Sequence, residues 1–321
     1  IVPYYSNLIM HTHKIPEQQP FIQPPFLKPG DKVGICCPAG SVQASEMQDM
    51  IRQLYDWGLH VRVGCTVGSR YFKFSAPDAI RCADLQQQLD DPDIRAIFFG
   101  RGGYGVMRIL EQLSFQAFLQ HPKWLIGYSD ITAIHSCMHS QWHTMSLHAH
   151  MGAGYRMHQR DEVSTQSIYH YLFGIPITHQ WPVHSMNRFG MAEGILCGGN
   201  LALLSDLCGT PYDLETRGKL LFLEDIGEYR YNIDRMLWQL KLAGKLESLA
   251  GLIIGSFTDT QDNEIPFGMT EYEMIQEKIA PYSFPVCFGI PVGHQIRNEA
   301  LMQGAVYRLA IDAEAVVLNL L

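Results

Sequence analysis

Along most of the chain, short apolar runs of strand length alternate with stretches whose apolar positions recur at helical spacing. After the turn signal KPGD, KVGICCPAG predicts a buried strand. SEMQDMIRQLYDWG then puts Met47, Met50, Ile51 and Leu54 on one helical face and closes at Gly58. HVRVGCTV predicts the next strand, and PDAIRCADLQQQLDD a helix with Pro77 in its first turn. IRAIFFG, VMRILEQL as a helical stretch, KWLIGYS, DITAIHSCMHSQW and TMSLHAH continue the alternation, which predicts a parallel sheet covered by helices on both faces. From about 152 to 193 the pattern loosens around a short apolar helix near IYHYLFG, and a second unit follows from GILCGGNLALLSDLCG through GKLLFLE, YRYNIDRMLWQLKLAG, AGLIIGSF and TEYEMIQEKIA to PVCFGIPVGH. AVYRLAIDAEAVVLNLL reads as two alternating strands of a hairpin. The expected organisation is an irregular, Pro- and Gln-rich arm over 1–26, a Rossmann-like α/β domain over 27–155, a connection over 156–190 and a second β/α domain over 191–321.

Composition narrows the class without naming a chemistry. A chain of 321 residues exceeds one ordinary core, and 47% hydrophobic with 17% charged residues is that of a folded protein. A net charge of −8 with no cluster of Lys and Arg argues against a nucleic-acid surface, so an anionic substrate needs a local cation. The eight cysteines are scattered, without a C-x-x-C pair, as reduced core residues of a cytoplasmic protein would be. No apolar run reaches the roughly 18–20 residues that span a bilayer. IVPYYSNLIM has neither a preceding basic residue nor a following cleavage site, so neither membrane nor signal peptide is expected.

Ligands of open α/β sheets bind beyond the carboxyl ends of strands, so polar residues that abruptly end an apolar run are the candidates for chemistry. Ser129 follows WLIGY, Glu224 follows LLFL and His294 follows FGIPVG. Each alone has a plain reading: an N-cap, a solvated strand end, a loop histidine. Together they are a nucleophile, an acid and a base. GYSD has the strand-to-helix placement of a nucleophile elbow, although Ile131 stands where G-x-S-x-G has its second glycine. The backbone N–H of Asp130 offers one oxyanion donor, and the GRGGYG turn, through Gly102 or Gly103, a second.

Two other chemistries compete. Gly100, Gly102 and Gly105 fit G-x-G-x-x-G, a dinucleotide-binding pattern, but after what reads as the third strand and with Arg101 and Tyr104 in the turn. His135 and His139 stand one helical turn apart, with His143, His148 and His150 close behind, which allows a zinc hydrolase, though without H-E-x-x-H or an acid at ligand spacing.

RGGYG at 101–105, GYSDITAIH at 127–135, GGNLALL at 198–204, LFLEDIGEYRYNIDRML at 221–237 and GIPVGH at 289–294, in this order, resemble the motif set of the LD-carboxypeptidases, serine peptidases grouped with the microcin immunity peptidases. The resemblance covers about residue 27 to the end. It implies an N-terminal Rossmann-like domain bearing the nucleophile Ser129 and a C-terminal swivelling β/α domain bearing Glu224 and the base His294. It also implies no metal or other cofactor, a cytoplasmic homodimer, and release of the terminal D-alanine from murein tetrapeptides, free or linked to muramic acid or a nucleotide sugar. The E-D-I-G-E form resembles the carboxypeptidase branch more than the immunity branch, which remains the alternative substrate class. Met302 and the CPAG of 37–40 depart from the usual pattern. An exopeptidase must read a free carboxylate, for which Arg101 and Arg297 are the candidates, with Tyr104 and Tyr128 as further substrate contacts. The classes separate in EDTA: the serine enzyme keeps its full turnover, whereas a zinc hydrolase or a noncatalytic nucleotide-binding protein shows chelator-sensitive turnover or none.

Overall fold

The computed structural model describes residues 20–156 and 161–321. In chain order β1 (Lys32–Cys36), α1 (Gln48–Asp56), β2 (His60–Val63), α2 (Asp78–Asp90), β3 (Ile94–Phe99), α3 (Gln116–Gln120), β4 (Trp124–Gly127), α4 (Thr132–Gln141) and β5 (Ser146–His148) build a parallel sheet in the order β5-β4-β3-β1-β2. Then come α5 (Glu162–Phe173), β6 (Thr178–Trp181), β7 (Gly190–Asn200), α6 (Leu201–Leu207), β8 (Leu220–Ile226), α7 (Arg230–Leu242), β9 (Gly251–Thr258), α8 (Glu271–Ile279), β10 (Val286–Cys287), β11 (Leu301–Gln303), β12 (Val306–Ile311) and β13 (Val316–Leu320). The second sheet runs β10-β9-β8-β7-β12-β13-β6, parallel from β10 to β7 and antiparallel beyond.

Burial explains which strands were plain in the sequence. Parallel strands covered on both faces carry continuous buried apolar runs, as in Ala96–Phe99 of β3 and Leu220–Leu223 of β8, whereas β12 alternates, its Tyr307, Leu309 and Ile311 buried and its Val306 and Arg308 exposed. One core cluster joins the sheets: Ile126 and Leu147 of the first pack in the same cluster as Leu196, Phe222 and Ile253 of the second. The strand ends carrying Ser129 and Glu224 are therefore fixed on one packed body. Among the described residues no helix is long and apolar enough to cross a membrane.

Three features cut across the expected divisions. Within 156–190, α5 contains the short helix expected near IYHYLFG, and β6, which was not expected, pairs with β13 as the edge of the second sheet; its half-polar THQW hid it. Within 191–321, β11 crosses back and pairs antiparallel with β5, so the first sheet is completed by residues from the far end of the chain. Of the arm, residues 1–19 lie outside the described residues. Ile22 is tied to the segment before β5, donating to the His143 carbonyl at 2.6 Å and accepting from the Met145 N–H at 2.9 Å.

VMRILEQL is not an α-helix; only Leu110–Gln112 form a 3-10 turn. Side chains hold its start as a loop. Asp130 accepts from the Val106 N–H at 2.9 Å, Arg108 pairs with Asp78 at 2.8 Å, and fully buried Arg81 donates to the Gly105 carbonyl at 2.9 Å. Arg81 also donates to the carbonyls of Pro38 and Ala76 and to Asp78, so one guanidinium fastens the CPAG and GRGGYG loops together. Its replacement leaves buried carbonyls without donors. Arg81→Met is expected to lower unfolding stability by about 3–5 kcal/mol, read from the urea midpoint, as when one partner of a buried charged network is removed.

Candidate active site

Ser129 lies directly after β4, where Tyr128 is extended (φ −151°, ψ −171°) and Ser129 itself is left-handed at φ 63° before the chain turns through Ser129–Ile131 into α4. Left-handed backbone at a residue with a Cβ is strained and persists only when the surroundings enforce it. Here the Gly127 carbonyl accepts from the Ala149 N–H at 3.1 Å and from His135 Nε2 at 2.8 Å, while the buried Asp130 carboxylate grips Val106. The sharp turn presents the serine at the carboxyl end of the sheet, the geometry of a nucleophile elbow despite the absent second glycine.

Glu224 ends the apolar run of β8 with its side chain fully buried, and its Oε2 lies 2.6 Å from His294 Nδ1. A buried carboxylate needs such a partner. Accepting from Nδ1–H fixes the imidazole tautomer and leaves Nε2 as the basic nitrogen. Burial lowers the His294 pKa, but the Glu224 charge and hydrogen bond, with Asp225 behind, outweigh it, and the net shift is upward. The backbone is aimed as firmly as the ring. Gly293 has φ 112° and donates to Asn298 Oδ1 at 2.9 Å, and Thr258 Oγ1 donates to the His294 carbonyl at 2.9 Å. A Cβ at Gly293 would stand 2.7 Å from Glu224 Cβ, so only glycine lets this loop approach the acid.

Ser129 and His294 line one cavity of about 340 Å³ together with Gly102, Gly103, Arg101 and Tyr128. Among the described residues no hydrogen bond joins Ser129 Oγ to the His294 ring; such bonds commonly form only with substrate in place. A larger cleft of about 610 Å³ opens between α1 and α5, but it contains none of these groups. The GRGGYG turn serves the serine. A Cβ at Gly102 would lie 3.0 Å from Ser129 Cβ, and one at Gly100 would lie 2.7 Å from Cys37 Sγ. With no α-helix following the turn, the dinucleotide reading loses the helix N-terminus it needs. The Gly102 carbonyl accepts from the Gly40 N–H at 2.9 Å, which in a trans peptide points the Gly103 N–H the opposite way.

The four candidate substrate contacts divide. Arg101 lines the cavity, exposed, and among the described residues it has no carboxylate partner. Tyr128 also lines it, with its ring 4.7 Å from that of His294, and burial with Glu224 nearby pushes its phenol up to about 12. Arg297 is not on the cavity wall: both its Nε (2.8 Å) and a terminal nitrogen (2.7 Å) are committed to Glu299. Tyr104 also lies off the wall, against Phe74 and beneath Lys73.

The histidines proposed for zinc have other work. His135 is held between Ser146 Oγ and the Gly127 carbonyl, and burial drives its pKa down to about 4; His139 Nε2 accepts from buried Lys219 at 2.7 Å. A chelating pair at this spacing is therefore not free. Among the described residues no group of three or more potential ligands is placed to hold a metal.

Other site residues escaped the sequence reading. Thr132 Oγ1 accepts from the Asn200 N–H at 3.1 Å, and Asn200 Nδ2 donates to Asp225 at 2.9 Å, a seam stitching the helix after Ser129 to the strand of Glu224. Burial, with Glu224 beside it, raises Asp225 to about 7 against the N–H groups of Asn200, Ala202 and Ile226 that favour its anion. GGN carried a usable signal, since Gly198 and Gly199 sit at φ 148° and 141° where a side chain would strike Phe222 and Thr132. Arg81 carried another, a charge in register with buried Leu85 and Gln88 on one face of α2.

A strained serine, an imidazole bound to a buried carboxylate and a glycine turn about one cavity define a serine hydrolase of α/β architecture. Family models named for the LD-carboxypeptidase N-terminal domain and C-terminal domain match residues 33–149 and 193–309. The chain is 32% identical over 286 residues to a probable murein peptide carboxypeptidase of Bacillus subtilis, covering 88% of this chain and 90% of the relative. It is 31% identical over 284 residues to the murein tetrapeptide carboxypeptidase of Pseudomonas aeruginosa, covering 85% and 91%. The crystal structure of a muramoyltetrapeptide carboxypeptidase from Oxalobacter formigenes superposes with a TM-score of 0.81 at 27% identity, covering 90% of this chain and 98% of that one. The chain belongs to the LD-carboxypeptidase family.

The His294 shift gives a signed pH dependence. A general base works deprotonated, so kcat/KM falls on the acid side through a pKa above the usual histidine value of about 6.5. By linkage, the stability that the Glu224–His294 pair contributes is full below about pH 6.5 and is lost as pH rises through the higher folded value. Glu224→Gln removes the group that raises His294, so burial prevails. The acid limb of kcat/KM is expected to move to lower pH while kcat drops roughly 10⁴-fold, as for the amide of a triad carboxylate.

Proposed function

We propose that Ser129, His294 and Glu224 act as nucleophile, base and orienting acid of a serine carboxypeptidase that releases the terminal D-alanine from murein tetrapeptides in peptidoglycan recycling. The observation that carries the reading is the buried Glu224–His294 hydrogen bond opening onto the same cavity as the strained serine. Ser129 Oγ attacks the carbonyl carbon of the L-residue as His294 Nε2 takes its proton, and Glu224 stabilises the imidazolium. The oxyanion meets the N–H of Asp130 and the N–H of Gly103, which the Gly40 contact turns away from that loop. Collapse passes the proton from His294 to the amine of D-alanine, leaving an acyl-enzyme on Ser129. Water, deprotonated by His294, then frees the tripeptide.

Among the described residues that line the cavity, Arg101 is the cation available for the substrate's terminal carboxylate, since Arg297 is spent on Glu299. Gly102 packs against the serine, and Tyr128 walls the space beside His294. The protein acts in the cytoplasm as a homodimer in this reading, and light scattering of the purified protein tests the dimer.

Incubation with a tetrapeptide ending in L-diaminopimelyl-D-alanine is expected to yield free D-alanine, and Ser129→Ala to lower kcat by roughly 10⁶-fold with the fold intact. Undiminished turnover in that variant contradicts the serine mechanism. Arg101→Gln is expected to raise KM roughly 10- to 100-fold, the loss of one charge-assisted contact of about 1.5–3 kcal/mol, with a smaller change in kcat. An unchanged KM assigns the carboxylate to another group.

A further inference from the structure

His148 ends β5, opposite Gly127 of β4 and Leu301 of β11, and is fully buried. Among the described residues neither ring nitrogen has a hydrogen-bond partner. Burial, with His135 and His294 nearby, holds its pKa well below the ordinary value, so the ring is neutral and adds no second cation beside the base. A neutral imidazole left unpaired in a core is destabilising against an apolar side chain of like volume. Stability alone does not account for a histidine here.

Its neighbours point to a role. On one side its ring meets Tyr128 edge-on, centroids 5.8 Å apart at 70°, and Tyr128 precedes Ser129 and packs on His294 at 4.7 Å. On the other it meets Phe222 edge-on, 4.9 Å apart at 81°. Phe222 stands two residues before Glu224, so the two side chains leave the same face of β8. His148 thus touches both the end of the strand that leads to Ser129 and the strand that carries Glu224. Imidazole is the smallest aromatic ring among the side chains, and an aliphatic chain offers no ring face or edge to two aromatic neighbours.

We propose that His148 is a positioning residue, a flat spacer between Tyr128 and Phe222 that sets the separation of the Ser129 half of the site from the Glu224–His294 half. It acts through Tyr128, against which the His294 ring rests. The proposal rests on the triad reading above, and its test separates the two.

His148→Leu keeps the volume but removes the ring and its unpaired nitrogens. The expected result is a thermal midpoint equal to or above wild type with kcat about tenfold lower, the scale of a sub-ångström misplacement, and KM within about twofold. Phosphonylation of Ser129 by a fluorophosphonate, followed by intact mass, is expected to slow by the same factor, independent of the natural substrate. Phe222→Leu loosens the other wall of the wedge without touching a polar atom and should show the same split between kcat and KM. Wild-type phosphonylation and turnover in His148→Leu overturn the proposal, as does a fall in stability that parallels the loss of kcat in both variants, which marks packing alone. Wild-type protein labelled at a residue other than Ser129 overturns the triad reading itself, whatever His148 does.

Discussion

The hydrogen bond between Glu224 and His294 is the constraint around which the molecule is arranged. A carboxylate shut away from water at the end of a parallel strand is costly unless a donor of opposite tendency meets it at close range. That donor arrives from a loop 70 residues on, and the loop can come close because Gly293 has no side chain to strike the acid. Asn298 and Thr258 clamp the backbone on either side of the histidine. The same bond sets tautomer, charge and direction of the base.

Such an arrangement is useful only if the serine, on another sheet, stays in register with it. A core cluster shared by both sheets, β11 completing the first sheet and the Thr132–Asn200–Asp225 seam meet that need. The protein gives up stability at the same place. Ser129 is held in strained backbone, and among the described residues Glu224 Oε1, Ser256 Oγ, Asn298 Nδ2 and both nitrogens of His148 are buried without hydrogen-bond partners. Violations of local rules at and beside Ser129 and Glu224 mark a site where function, rather than folding alone, sets the structure.

The alternation of runs made the parallel sheets legible, because strands buried on both faces carry continuous apolar runs, and a polar residue ending such a run marks the carboxyl edge. Ser129 and Glu224 were visible for that reason; His294 was visible as the polar end of the apolar FGIPVG, which is a loop after the two-residue β10, and the ordered motifs resembling LD-carboxypeptidases agreed. Side-chain pairing was not legible. Glu299 stands only two residues from Arg297, yet the sequence does not say that it takes the guanidinium, nor that VMRILEQL, helical in spacing, is pinned as a loop by Asp130, Arg81 and Asp78. β6 was missed because an edge strand needs only alternate apolar residues, and β11 because three residues carry too little pattern to betray a crossover.

Joint action of the triad is tested most directly by a double-mutant cycle on D-alanine release, with Ser129→Ala, His294→Ala and the pair. If the hydroxyl and the imidazole share one proton path, the double variant is no slower than either single variant, because removing one already disables the other. Losses that multiply in the double variant would show two residues acting independently and would contradict a catalytic unit built on the buried Glu224–His294 bond.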